Sequence, residues 1–173
     1  MQKKSHVVIH NAQPKGFSKY VPLIVMFCIV VLITIVLHRY IPGENYSFMR
    51  YFMGSFFLVF GFLKIIKLRD FAIAYRKYDL LAMVSPLYAK LYPFLEIGFA
   101  VAYFTNWNMT LVNTLVLGVM LVSALGVYLK LRKKEEIPCA CLGTVFKVPM
   151  TWVTLGEDLL MAGMAGYMLF FSM

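Results

Sequence analysis

Residues 21–37 read VPLIVMFCIVVLITIVL, seventeen residues from Val21 to Leu37 without a charge. About twenty such residues cross the hydrocarbon core of a bilayer. The run is longer than the apolar region of a signal peptide, and Arg39-Tyr40-Ile41-Pro42 after it offers no small-residue cleavage site. Residues 20–38 are therefore expected to be a transmembrane anchor. Cys28, alone in mid-span, counts as a small apolar residue with no assigned role.

The rest of the chain repeats the theme. Apolar runs at about 48–66, 86–105, 109–129 and 148–171 predict four further spans. The composition agrees, with 61% hydrophobic and 14% charged residues and a mean hydropathy of +0.76. Soluble domains average about 45–50% apolar and about 25% charged residues. The fold class is all-α, a polytopic transmembrane helix bundle of five spans. Residues 1–19 form a basic tail whose His6 and His10 read as solvated, and Pro42-Gly43 marks a tight turn.

Residues 67–85 differ in kind. Leu68, Phe71, Ala72, Tyr75 and Ala82 recur at helical spacing among Lys67, Asp70, Arg76 and Lys77. That pattern predicts an amphipathic helix lying in the interface, where its cations attract anionic headgroups. On the second span, Arg50, Gly54, Gly61 and Lys64 share one face. The two glycines would admit a close neighbour, and Lys64, near the exit, is expected to snorkel to the surface. Gly118 and Gly126 offer similar packing positions on the fourth span.

The net charge of +9 is distributed by topology and argues against nucleic acid as a partner. Lysines and arginines concentrate in the tail, in 64–90 and in 130–147. Only Arg39 and Arg50 fall near the first turn, and none lies in Asn106-Trp107-Asn108 or after the last span. The positive-inside rule then puts the N-terminus in the cytoplasm, with 130–147 on the same side. A bacterial cytoplasmic membrane is the expected location.

Two groups of residues could carry chemistry. Glu96, Glu157 and Asp158 fall well inside predicted spans, where an acid costs about 2.5–3.5 kcal/mol on insertion scales. They are expected to form a buried polar centre, either as helix-to-helix hydrogen-bonding glue or as a proton or cation site. A stripe of Thr151, Thr154, Asp158, Ala162 and Ala165 gives the last span a polar, small-residue face.

The second group is Cys139 and Cys141, in the loop Pro138-Cys139-Ala140-Cys141-Leu142-Gly143. As a candidate catalytic redox pair they could close a small, strained and exchangeable disulfide, with Lys133, Lys134 and Lys147 favouring thiolate. As metal ligands they suit Cu(I), or zinc if a homo-oligomer brings four sulfurs together. Chance spacing is the third reading. There is no nucleophile elbow, phosphate loop or H-E-x-x-H, and His38 is the only histidine outside the tail that a haem could use. No cofactor can be named.

Taken in order, these residues resemble a family. Arg50-x3-Gly54-x6-Gly61-x2-Lys64, then Phe71, Tyr78 and Pro86, then Pro93-x2-Glu96-x-Gly98, then Cys139-Ala140-Cys141-Leu142-Gly143 are similar to the MauE branch of the DoxX-like membrane proteins, over residues 48–172. The individual motifs are loose; their order is the signal. The span at 20–38 is additional to the family's four helices, and Leu142 stands where Phe is frequent. The resemblance implies a four-helix membrane core. It also implies an accessory role in maturing or exporting the disulfide-rich small subunit of methylamine dehydrogenase, or in redox-associated work more broadly. Cys139 and Cys141 match the cysteines of the family's C-x-C-[FL]-G motif. A protein partner or thiol-redox protein, together with the lipid bilayer, is then expected. Non-enzymatic soft-metal handling and a purely structural membrane role are the alternatives.

Overall fold

Seven helices occupy almost all of residues 21–41, 47–133 and 152–171, the parts that this computed structural model describes. They are α1 (Val21–Tyr40), α2 (Ser47–Ile66), α3 (Leu68–Tyr75), α4 (Leu80–Val84), α5 (Pro86–Thr105), α6 (Met109–Arg132) and α7 (Trp152–Phe171). No strand occurs among the described residues. By length and composition, α1, α2 and α6 could each cross a membrane. Helices α5 and α7 equal α1 and α2 in length but carry charges in their interiors. The tail with His6 and His10, the 42–46 turn, and the loop with Cys139 and Cys141 lie outside the described residues, as do the side chains of Thr151 and Thr154.

The helix ends are written locally. Ser85 caps α5 by accepting from the Tyr88 amide at 3.2 Å, and Pro86 fills the first turn, where its missing N–H costs nothing. Helix α5 ends at Asn106, in the left-handed region at φ 55°, and the Trp107 amide reaches back to the Ala102 carbonyl at 3.0 Å. Asn108, at φ 35°, then caps α6 by accepting from the Leu111 amide. The expected short turn is thus two asparagine caps around Trp107.

Two helix pairs make the body: α2 packs along α5, and α6 along α7. Helix α1 flanks α2 and presents most of its surface outward, Cys28 included; of its residues only Leu23, Val30 and Thr34 are buried. Glycines set the closest approaches. At Gly61, an added Cβ would meet the Glu96 Cβ at 3.2 Å and the Pro93 carbonyl at 3.3 Å, so α5 can lie against α2 there. Gly118, expected to do the same on α6, has nothing within 4 Å; Gly126 instead holds the close contact.

The segment expected to be one interfacial helix is two. Helix α3 ends after Tyr75, and Asp79 starts α4 by accepting from the Ala82 amide at 2.8 Å. The break turns the segment inward. Phe71, Tyr75, Tyr78, Asp79 and Ala82 are buried, while Arg69, Ile73, Arg76 and Lys77 stay outside. The Tyr78–Asp79 turn presses on α6, where a Cβ on Gly126 would stand 2.3 Å from the Tyr78 carbonyl oxygen. This segment seals one end of the space between the two helix pairs.

Candidate functional site

Between the pairs lies a cavity of about 30 Å³, room for about one or two waters. Every helix except α1 and α4 contributes to its wall. Phe56, Phe60 and Lys64 come from α2, Phe71 and Tyr75 from α3, and Tyr92 and Glu96 from α5; Met120, Ser123 and Val127 come from α6, and Glu157 and Asp158 from α7. Glu96, Glu157 and Asp158, far apart in sequence, thus line one cavity.

Lys64 and Glu96 are the centre of the site. The Lys64 ammonium donates to Glu96 Oε1 in an ion pair, with both side chains almost fully buried. Lys64 therefore does not snorkel. Helix α2 ends two residues after Lys64, and α3 begins at Leu68 and packs against α5, so the end of α2 is roofed over. The ammonium has aromatic faces as its other neighbours, 5.0 Å from the Tyr92 centroid and 5.6 Å from that of Phe71. Each such face attracts a desolvated cation, in part replacing lost water. Glu96 Oε2 is buried and has no hydrogen-bond partner among the described residues.

Around the pair the rings form a continuous wall. Tyr75 lies 4.5 Å from Tyr92, 5.1 Å from Phe71 and 5.5 Å from Tyr78, centroid to centroid. The Tyr75 hydroxyl donates to Asp79 Oδ2 at 2.9 Å, which ties the wall to the α4 cap. Burial pushes the Tyr75 phenol well up and raises the Asp79 carboxyl above its ordinary range. On the far side, Ser123 donates to Asp158 Oδ2 at 3.0 Å, joining α6 to α7. Glu157 is buried and Asp158 half-buried.

Sequence reasoning missed three members of this arrangement. Lys64 had a signal, a cation on the glycine face of α2, but nothing in the sequence linked it to Glu96, thirty-two residues away. Asp79 had the signal of an acid directly before Leu80-Leu81-Ala82, a cap sequence. Ser123, a small polar residue in an apolar run, carried no signal of its partner Asp158. Among the described residues no three His, Cys, Asp or Glu side chains are placed to hold a metal ion. Arg50, on the same face of α2, is half-buried and stacks 5.1 Å over the Tyr51 ring.

A buried ion pair in an aromatic cage, inside a helical body with apolar outer surfaces and three helices fit to cross a bilayer, defines an all-helical integral membrane protein with a polar centre. Within that class the chain belongs to the MauE family: the family described as methylamine utilisation protein MauE matches residues 42–171, which takes in all helices after α1. Searches of curated proteins and of solved structures return no match to the chain.

Proposed function

We propose that this protein is a MauE-type membrane accessory factor acting in thiol redox chemistry or in maturation of a partner protein, with Cys139 and Cys141 as the reactive pair. The observation that carries the reading is the family match itself, since residues 42–171 include the whole C-x-C loop. In the exchange step, one thiolate attacks a partner disulfide and forms a mixed disulfide. The second thiolate then displaces the partner's sulfur, so the partner leaves reduced and Cys139–Cys141 is oxidised; the reverse sequence oxidises a partner dithiol.

The proposed architecture has five spans. Helices α5 and α7, at 20 residues each, are about 30 Å long, enough for the hydrocarbon core. Their acids turn inward to the cavity, where Lys64 answers Glu96 and Ser123 answers Asp158, and this lowers the cost of burying them in a bilayer. In this reading the cysteine loop, which joins α6 to α7 in sequence, works at one membrane face. The polar centre, Glu96, Glu157 and Asp158 with Lys64, would hold the helix pairs together. The N-terminus is assigned to the cytoplasm of a bacterial inner-membrane protein.

The test is labelling of Cys139 and Cys141 in intact cells with a membrane-impermeant maleimide, with and without prior reduction, in a Cys28→Ala background. Labelling that requires prior reduction supports the redox pair, and its sidedness reads the topology. Free thiols in every condition, with stoichiometric Cu(I) or Zn(II) that Cys139→Ser abolishes, would replace the redox reading with soft-metal handling. Free thiols that bind no metal and tolerate alkylation without loss of function would leave a structural role.

A further inference from the structure

We propose that the outward face of α3 and the start of α5 form a binding site for one anionic phospholipid. This rests on observations separate from the cysteines and from the central cavity. A groove of about 600 Å³ runs between the two helices. Its apolar lining includes Leu68, Ile73 and Pro86, and its cations are Arg69, Arg76 and Lys90. All three cations are exposed, and none pairs with a carboxylate among the described residues. The buried cation Lys64 is paired with Glu96, whereas these three exposed cations border an apolar trough.

The chemistry of the trough matches a headgroup with chains rather than a free anion. Arg69 on α3 and Arg76 at its C-cap lie seven residues apart, so they share a side, with exposed Ile73 between them. Lys90 faces them from α5. Leu87 before it and Leu91 and Phe94 after it on α5 each have half or more of the side chain exposed, apolar surface beside the cations that an acyl chain could cover. Arginine forks suit phosphate oxygens in two-point contacts. The inward turn of Phe71 and Tyr75 leaves the basic half of the amphipathic segment outward, so the fold itself creates the groove. Asp70, exposed on α3, is outside the lining.

Native mass spectrometry of the full chain in neutral detergent, titrated with dioleoylphosphatidylglycerol or dioleoylphosphatidylcholine, tests the site. The expected result is retention of one phosphatidylglycerol but not phosphatidylcholine, and loss of about tenfold or more in affinity in Arg69→Gln/Arg76→Gln/Lys90→Gln. A control with the same charge loss outside the groove, Lys67→Gln/Lys77→Gln/Lys133→Gln, should stay within about twofold of wild type. Equal losses in the two triples, equal retention of the zwitterionic lipid, or displacement by millimolar inorganic phosphate would each overturn the proposal. Should the groove triple fail to fold, a photoactivatable phosphatidylglycerol on the wild-type chain decides: adducts within 68–94 support the site, and adducts only elsewhere refute it.

Discussion

Lys64 and Glu96 show what a buried charge demands. Each alone would be prohibitive inside an apolar bundle; together they are held by an ion pair, two ring faces and a small cavity. Removing one partner strands the other, at a typical cost of about 3–5 kcal/mol, whereas replacing both by apolar groups is often neutral. Lys64→Met should therefore lower thermal stability in detergent sharply, and Lys64→Met/Glu96→Met should recover most of the loss. A Lys64→Met protein that melts with wild type would show that the ammonium is not committed to Glu96. Asp79 makes the companion case for titration. Burial lifts its folded-state pKa above the unfolded value, so the folded protein binds this proton more tightly. The stability from that proton is fully present below the ordinary carboxylate range and is lost as pH rises through the lifted value. Asp79→Asn keeps an acceptor for the Ala82 amide and should flatten this part of the melting-temperature profile above about pH 4. An unchanged slope would sink the assignment.

Among the elements, the α3–α4 segment decides most. An amphipathic sequence can lie on a membrane or fold against its own bundle, and the two outcomes use the same periodicity. Here the Asp79 cap breaks the helix, and Gly126 provides the seat for the turn. With the Tyr78 carbonyl 2.3 Å from where a Cβ would be, Gly126→Ala forces backbone apart, an overpacking cost of typically about 1–3 kcal/mol. Gly118→Ala meets nothing and should be neutral or slightly stabilising through helix propensity. Paired melting curves of the two variants check this, and a neutral Gly126→Ala would mean that the turn does not press on α6. Arg69 and Arg76 owe their outward position to the same break, so the lipid groove belongs to this element too.

Over the whole molecule, the charge bias and the packing describe one object from two sides. Cations cluster in the tail, in 64–90 and in 130–147, and the interior keeps Lys64 with its acid partner. The proposed five-span arrangement, with the N-terminus in the cytoplasm, is the one this bias favours. That proposal would put the cysteine loop on the cytoplasmic side, where thiols are kept reduced. Maleimide sidedness is thus a test at this scale as well. A loop labelled from outside only after reduction would reverse the orientation of the bundle and strengthen the disulfide chemistry at once.

The sequence alone was enough for the membrane class, the helical runs, the asparagine turn and the family, because hydrophobic length, charge bias and caps are local properties that add along the chain. It also marked Glu96, Glu157 and Asp158 as anomalous, since an acid in an apolar run needs no partner to be noticed. The partners themselves were decided by tertiary structure. Whether Lys64 snorkels or pairs depends on the axial offset between α2 and α5, which the Gly61 contact sets, and on α3 folding back over the end of α2. Both contacts join residues distant in sequence, and periodicity carries no record of them.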